Sequence, residues 1–297
     1  MATMRYLFVI IVIVHALIHL LGFFKAFDII EIEALSKPIA THKGILWLLA
    51  TIALLIAGIT FMFKPDVWWL FAFVAIVLSQ LLILSAWNDA RFGTLPNVII
   101  LLVALVAFGQ WHFEREVNIK LKKLLVLDEK ESLPNSEAQP KEHPLLTRWL
   151  QNVGADSISG NVYLKQSARL KLKPDGSWQP ARAEQWFTTR SPGFLWHAKV
   201  GKGSLVSFSG RDSFIKGQGQ MLIKIYNLFT VVNEESKNID EGTAIRYLAE
   251  MVWFPWAARH EYITWATVED NKLRATFTYG ELSVSGTFEF DEAGLPS

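Results

Sequence analysis

The chain has no cysteine, which excludes disulfides, thiol nucleophiles and Cys-ligated metals. It has almost no net charge either. Its 29 Lys and Arg against 28 Asp and Glu leave +1, so no whole-chain excess points to nucleic acid. It also lacks an HExxH motif, a Walker loop, a dinucleotide fingerprint and any Ser-His-Asp spacing. Gly217-Gln218-Gly219 has no helix N-terminus after it and reads as a strand-joining turn, with Asp212 starting a turn just before Phe214. His197 and His260 are isolated. These absences predict no catalytic residues and no cofactor.

Long hydrophobic runs, in contrast, are abundant. Charge is sparse in residues 1–113, where four stretches, 6–24, 44–63, 67–87 and 95–111, are predominantly apolar and free of Asp, Glu, Lys and Arg. About 20 apolar residues cross the hydrocarbon core as a helix, and backbone groups in lipid must be satisfied within the segment. The first stretch is longer than a signal-peptide core and has no small-x-small cleavage site after it, so a retained helix is expected. Trp47, Trp68, Trp69, Trp87 and Trp111 fall near span ends, where indole rings favour the headgroup layer. Pro65 marks a short turn that makes spans two and three an antiparallel hairpin, and 88–97 reads as a polar turn. Arg5, Lys64 and the basic residues after span four outweigh Lys25, Lys37, Lys43 and Arg91 on the other side. This bias favours a multi-pass protein of the bacterial cytoplasmic membrane with both termini, and the C-terminal half, on the cytoplasmic side.

His15 and His19 share one face of the first span. Two readings are open. They hold a metal or haem, with His42 as a third ligand, or they hydrogen-bond to neighbouring helices through Ser79, Gln80 or backbone.

The organisation is therefore a four-helix transmembrane region at 1–113, a basic juxtamembrane segment and linker at 114–143, and a soluble domain at 144–297. Residues 114–127 are expected to continue helix four, with Lys120, Lys122 and Lys123 facing either anionic headgroups or water. Residues 128–141 have linker composition. A short helix follows Pro144 and stops at Gly154. Beyond it, apolar residues alternate with period 2 at 159–166, 168–173, 178–188, 194–200, 204–208, 221–232, 262–268, 273–279 and 282–290, with hairpin turns at Asp270-Asn271 and Gly280-Glu281. A 3.6-residue apolar stripe predicts one long helix at 241–258, broken near its end by Pro255. The fold class is an α + β membrane protein whose soluble part is an antiparallel, half-barrel-like sheet with that helix packed on its concave side. Trp178, Trp186, Phe194, Trp196, Trp253, Trp256 and Trp265 are the candidate inner-face aromatics. They form either a solid core or the lining of a pocket for an apolar ligand. Arg246 and Glu250, four apart on the helix, are a candidate structural pair.

Trp178-x-Pro180-x-x-Ala183-x-Gln185, Pro192-x-Phe194-x-Trp196, Gly217-x-Gly219-x-Met221, Arg246-Tyr247-Leu248-Ala249-Glu250 and Trp253-Phe254-Pro255-x-Ala257 together resemble a bacterial family of unknown function over residues 145–297. Trp87-x-Asp89-Ala90-Arg91-Phe92-Gly93-Thr94-x-Pro96-Asn97 is similar to a membrane segment that some of its members carry. The resemblance implies no reaction. In element order the soluble part is also similar to LolA-like lipoprotein carriers. The family pattern continues past Ser297, an expectation that would leave a sheet edge exposed.

Three functions are compatible with these residues. The first is a membrane-anchored, non-enzymatic binding module for a lipid or other apolar ligand. The second is a membrane-tethered scaffold that docks a protein partner. The third is a transmembrane metal or haem protein using His15 and His19. The lipid bilayer is a partner in all three, and nucleic acid in none.

Overall fold

The structure is a computed structural model that describes residues 2–33, 35–130, 143–155, 160–171, 174–201 and 207–297. It is α + β and divides into two compact units, Met1–Glu114 and Arg115–Ser297.

The first unit contains α1 (Ala2–Ala26), α2 (Thr41–Phe63), α3 (Trp68–Ser85), the single turn α4 (Trp87–Ala90) and the start of α5 (Thr94–Lys130). Among the described residues, Thr3–Ala26, Thr41–Phe63, Trp68–Ser85 and Trp87–Lys130 are long and apolar enough to cross a membrane. Their packing is the inverse of a water-soluble bundle. Ala16, Ala57, Ala72, Ala75 and Ala104 are buried between helices, while Ile10, Leu17, Ile59, Val77 and Leu81 point outward, each more than half exposed. Small residues let helices approach closely where water supplies no driving force. Gly22 is one such contact, since a Cβ there would lie 2.5 Å from the Trp47 ring. Trp47 and Trp68, two of the tryptophans near expected span ends, pack between helices. They are 4% and 3% exposed and fill the bundle interior, whereas Trp87 is 47% exposed. The expected turn at 88–97 is mostly helical, with α4, a 3₁₀ turn at Arg91–Gly93, and α5 starting at Thr94. Pro96 is tolerated there because first-turn amides have no acceptor within the helix.

α5 runs 37 residues without a break, or roughly 55 Å at 1.5 Å per residue. Its apolar half lies in the first unit. From Arg115 onward it belongs to the second, where Val117, Leu124 and Asp128 are buried. Residues 131–142, most of the expected linker, lie outside the described residues.

The second unit continues with α6 (Pro144–Asn152), then six antiparallel strands that pair in sequence order: β1 (Val162–Lys171), β2 (Trp178–Thr188), β3 (Gly193–Val200), β4 (Phe208–Ile215), β5 (Gln218–Ile225) and β6 (Phe229–Glu234). After α7 (Lys237–Ala249) come β7 (Ile263–Glu269), β8 (Lys272–Tyr279) and β9 (Leu282–Glu289), which form a separate three-stranded sheet. Among the described residues there are thus two sheets where the sequence pattern suggested one. α7 packs against β4 and β5 of the first and β8 and β9 of the second.

The other differences have local causes. The expected strand at 221–232 is a hairpin, because Tyr226 and Asn227 adopt φ of 51° and 59° and turn the chain. β4 extends through Asp212, which is therefore in a strand and not a turn. Lys216-Gly217, both at positive φ, make the two-residue loop after it. Of the expected strand at 204–208, residues 204–206 lie outside the described residues, as do Leu172 and Lys173. α7 starts four residues earlier than expected, at a cap where Ser236 Oγ accepts the Ile239 amide. It ends at Ala249 in 3₁₀ turns, Glu250–Trp253 and Pro255–Arg259, because Pro255 cannot continue an α-helix.

Candidate functional site

Register places three inner-face rows on the first sheet. Phe187, Phe194, Phe214 and Gly219 align across β2 to β5, as do Gln185, Trp196, Asp212 and Met221, and then Ala183, Ala198, Gly210 and Ile223. The first row meets α7 and forms a solid aromatic core. Phe187, Phe194, Phe214, Tyr247, Phe254 and Phe277 are completely buried, and the Tyr247 ring lies within 6.5 Å of those of Phe187, Phe214, Phe254 and Phe277. α7 comes this close at Gly219, where a Cβ would sit 2.4 Å from Thr243 Oγ1 and 2.6 Å from the Ile239 carbonyl oxygen.

The second row carries a polar chain. Trp196 Nε1 donates to Gln166 Oε1 (3.0 Å), Gln166 Nε2 to Gln185 Oε1 (2.9 Å), and Gln185 Nε2 to Glu250 Oε2 (2.7 Å). Arg246 closes it, donating through Nε to Glu250 Oε1 (3.0 Å) and through Nη1 to Asp212 Oδ2 (2.5 Å). Its guanidinium lies 4.8 Å from the Phe194 ring centre and 5.3 Å from that of Trp196. Burial pushes the Asp212 carboxyl above its ordinary range despite Arg246, and its Oδ1 is buried without a hydrogen-bond partner. Arg246 and Glu250 are thus part of a network that joins the end of α7 to four strands, β1 to β4.

The seven candidate aromatics do not converge on one pocket. Trp178 and Trp186 alternate out of phase with the buried Ala181, Ala183, Gln185 and Phe187. They therefore lie on the opposite sheet face, where Trp186 stacks on Tyr163 with ring centres 5.1 Å apart. Phe194 is in the closed core. Trp196 is in the polar chain. Trp256 and Trp265 each donate to a backbone carbonyl, of Gly160 and Ala258 respectively. Trp253 is 57% exposed beside the end of α7.

An apolar groove of about 270 Å³ is lined by Ile245, Leu248 and Ala249 of α7, by Val252 of the following turn and by Gly286 and Phe288 of β9, among others. Ile245 and Val252 are 48% and 44% exposed.

In the first unit, His15 and His19 meet edge to face with ring centres 4.6 Å apart. His15 Nε2 is 2.9 Å from Asn97 Oδ1. His19 Nδ1 is 2.9 Å from the His15 carbonyl oxygen and its Nε2 is 2.8 Å from Ser79 Oγ. Gln80 instead accepts from Asn97 Nδ2 (3.0 Å). Three nitrogens of the pair are thus engaged by the protein. Among the described residues no three His, Asp or Glu side chains are grouped to hold a metal ion, and His42 is not part of this cluster.

A sequence-profile comparison matches residues 144–297 to a family of unknown function, DUF6920. The chain belongs to DUF6920. Neither the curated proteins nor the solved structures yielded a significant match. All members of the polar chain, Gln166, Gln185, Trp196, Asp212, Arg246 and Glu250, lie in the DUF6920 region, as does the apolar groove. The four long apolar helices and the basic end of α5 precede it.

Sequence reasoning missed Gln166, Gln185 and Asp212. The signal for Gln185 is its position in β2, in phase with Ala181, Ala183 and Phe187, where a polar side chain faces inward and must find partners. The residues around Asp212 suggest a turn and carry no such signal.

Proposed function

We propose that this chain is a membrane-anchored, non-enzymatic binding module for a lipid or other apolar ligand. In this reading the four long helices span the bacterial cytoplasmic membrane, and the sheet-bearing unit is on the cytoplasmic side. Outward-facing aliphatic residues on every long helix support the membrane assignment, and the excess of Lys and Arg near the ends assigned to the inside supports the orientation.

One observation carries the ligand class, namely the groove between α7 and β9, whose walls are mainly aliphatic and aromatic. Exposed apolar surface at Ile245 and Val252 is costly in water unless something covers it, and an acyl chain is a covering that a membrane-anchored protein has at hand. The order of elements, an antiparallel meander followed by a helix on its inner face, supports a LolA-like comparison by analogy alone.

The test uses the full chain in detergent. Organic extraction is expected to release co-purified lipid, and a fluorescent fatty acid is expected to bind saturably. Ala249→Trp, which fills the groove from an exposed position, is expected to abolish that binding without unfolding the protein. Absence of lipid and of saturable uptake sinks the proposal.

The scaffold reading draws on a different observation. β6 is an edge strand, and it exposes Phe229 (65%) and Val231 (55%). An uncovered apolar edge can accept a partner strand. Crosslinking through β6 in membranes to a second protein would support it, and self-contacts alone would count against it.

A further inference from the structure

The side of the first sheet that faces away from the polar chain is closed only in part. Leu195, His197, Arg211 and Ser213 of β3 and β4 point to that side and are buried, and Leu124 of α5 packs there against Gly193 at the start of β3. Tyr163, Lys165, Arg169 and Lys171 of β1 and Trp178 and Arg182 of β2 point the same way by register. All six are exposed.

Two properties set this open face apart from an ordinary solvated sheet surface. The first is charge of one sign. Lys165, Arg169, Lys171 and Arg182 have no ion-pair partner among the described residues. The carboxylates nearest to them in register and sequence are Glu184, which accepts the Tyr163 hydroxyl (2.5 Å), and Asp175 in the turn between β1 and β2. Lys199 of β3 stands opposite Arg182 and extends the basic row. The second property is aromatic. Trp178 and Tyr163 are 56% and 46% exposed. Lysines on an edge strand such as β1 keep sheet edges apart without any partner. That role does not account for Trp178, because β2 is an inner strand. Indole rings and basic side chains occur together in the headgroup layer of a bilayer, where the ring is amphipathic and the lipid supplies the anions.

We propose that the outer face of β1 and β2 docks on an anionic lipid surface, with the four cations over the headgroups and Trp178 among them. From Lys165 to Lys171 the cations of β1 spread over roughly 20 Å at 3.3 Å per residue, which suits a surface of many anions better than a single ion. The proposal rests on the membrane reading above, since a tethered unit keeps such a surface within reach.

The experiment uses the full chain, whose lack of cysteine lets Ser167→Cys, on the same exposed face, carry one environment-sensitive fluorophore. The labelled protein is placed in nanodiscs of phosphatidylcholine alone and of phosphatidylcholine with phosphatidylserine. Phosphatidylserine is expected to shift the emission to the blue and to let brominated lipid quench it. Salt at about 1 M, where the Debye length is about 3 Å, should reverse both effects. Arg169→Gln combined with Arg182→Gln is expected to lower the docking equilibrium about thirtyfold, the loss of two headgroup contacts. Both positions are exposed, so the variant keeps the fold, and an unchanged thermal melt checks this. A label at Glu281→Cys, in the turn between β8 and β9, should stay in water throughout. Failure of the chain to enter nanodiscs overturns the membrane reading and this proposal with it. Entry with no response to phosphatidylserine, or a response that the double variant or the Glu281 label reproduces, overturns this proposal alone. A label that ignores phosphatidylserine but responds to added polyglutamate assigns the face to an acidic protein instead, and overturns it as well.

Discussion

Asp128 Oδ1 accepts the backbone amide of Ser191 at 3.0 Å, and the same oxygen accepts that of Arg190 at 2.8 Å. One buried carboxylate in the last turns of α5 thus fastens the helix to the loop between β2 and β3. One buried and one part-buried amide would lose their acceptor in Asp128→Ala, at a cost of about 2–4 kcal/mol. Asp128→Asn keeps an acceptor oxygen and is expected to cost less than half as much. Thermal unfolding of both variants checks the order, and equal losses would mean that the acceptor is not what matters.

The same loop is held from the other side. Tyr247 Oη donates to the Thr188 carbonyl (2.8 Å), Tyr262 Oη to that of Thr189 (2.7 Å), and the two hydroxyls lie 3.2 Å apart. Burial pushes both phenols up from their ordinary range, so neither ionises near neutrality. Tyr247→Phe is expected to cost about 1–2 kcal/mol, and the Tyr247→Phe, Tyr262→Phe pair to cost less than the sum, because the two hydroxyls hold adjacent carbonyls of one loop and losing either anchor already loosens the other. A double-mutant cycle by denaturant unfolding measures the coupling, and strict additivity would contradict it.

Asp212 gives a pH signature. Its folded-state carboxyl titrates above its ordinary value. The associated stability is therefore fully present below the unfolded pKa and is lost as pH rises through the folded one. The amide introduced by Asp212→Asn does not titrate, so wild-type stability minus that of the variant should increase as pH falls from about 7 toward about 4. Denaturant unfolding across that window checks it. A flat or inverted difference would mean that Arg246 outweighs burial.

Gly219→Ala should destabilise the second unit by about 1–3 kcal/mol, the cost of overpacking a contact with little room to give. Two of the three nearest atoms belong to the α7 backbone. Thr243→Ala, which removes the third, Thr243 Oγ1, should recover only part of the loss, as read by thermal melts of the single and double variants.

Much of the architecture was legible in the residues. The runs of α1, α2 and α3 are nearly free of charge, and β2, β8 and β9 alternate, so their positions follow from local pattern. The errors arose where a local signal had two meanings. Tyr226-Asn227 reads as continuing strand by composition, yet Asn tolerates the left-handed region and turns the chain. Ser236 marks the start of α7, but the apolar stripe begins later and placed the helix at 241. Trp178 and Trp186 looked inward by hydrophobicity, while the alternation anchored on Ala183 and Phe187 faces them outward. Trp47 and Trp68 lie near span ends in the sequence, and only the packing shows that they also fill space between helices.

By itself the sequence determined the division into an apolar helical region and a strand-rich remainder, because hydropathy and residue periodicity are properties of neighbouring residues. Only the tertiary structure decided what meets what. It brought Gln166, Asp212 and Glu250 onto one guanidinium-centred network, left Tyr163 and Trp178 exposed among basic side chains on the open face of β1 and β2, and opened an apolar groove between α7 and β9. Those juxtapositions depend on strand register and helix packing across many intervening residues, which no local pattern encodes.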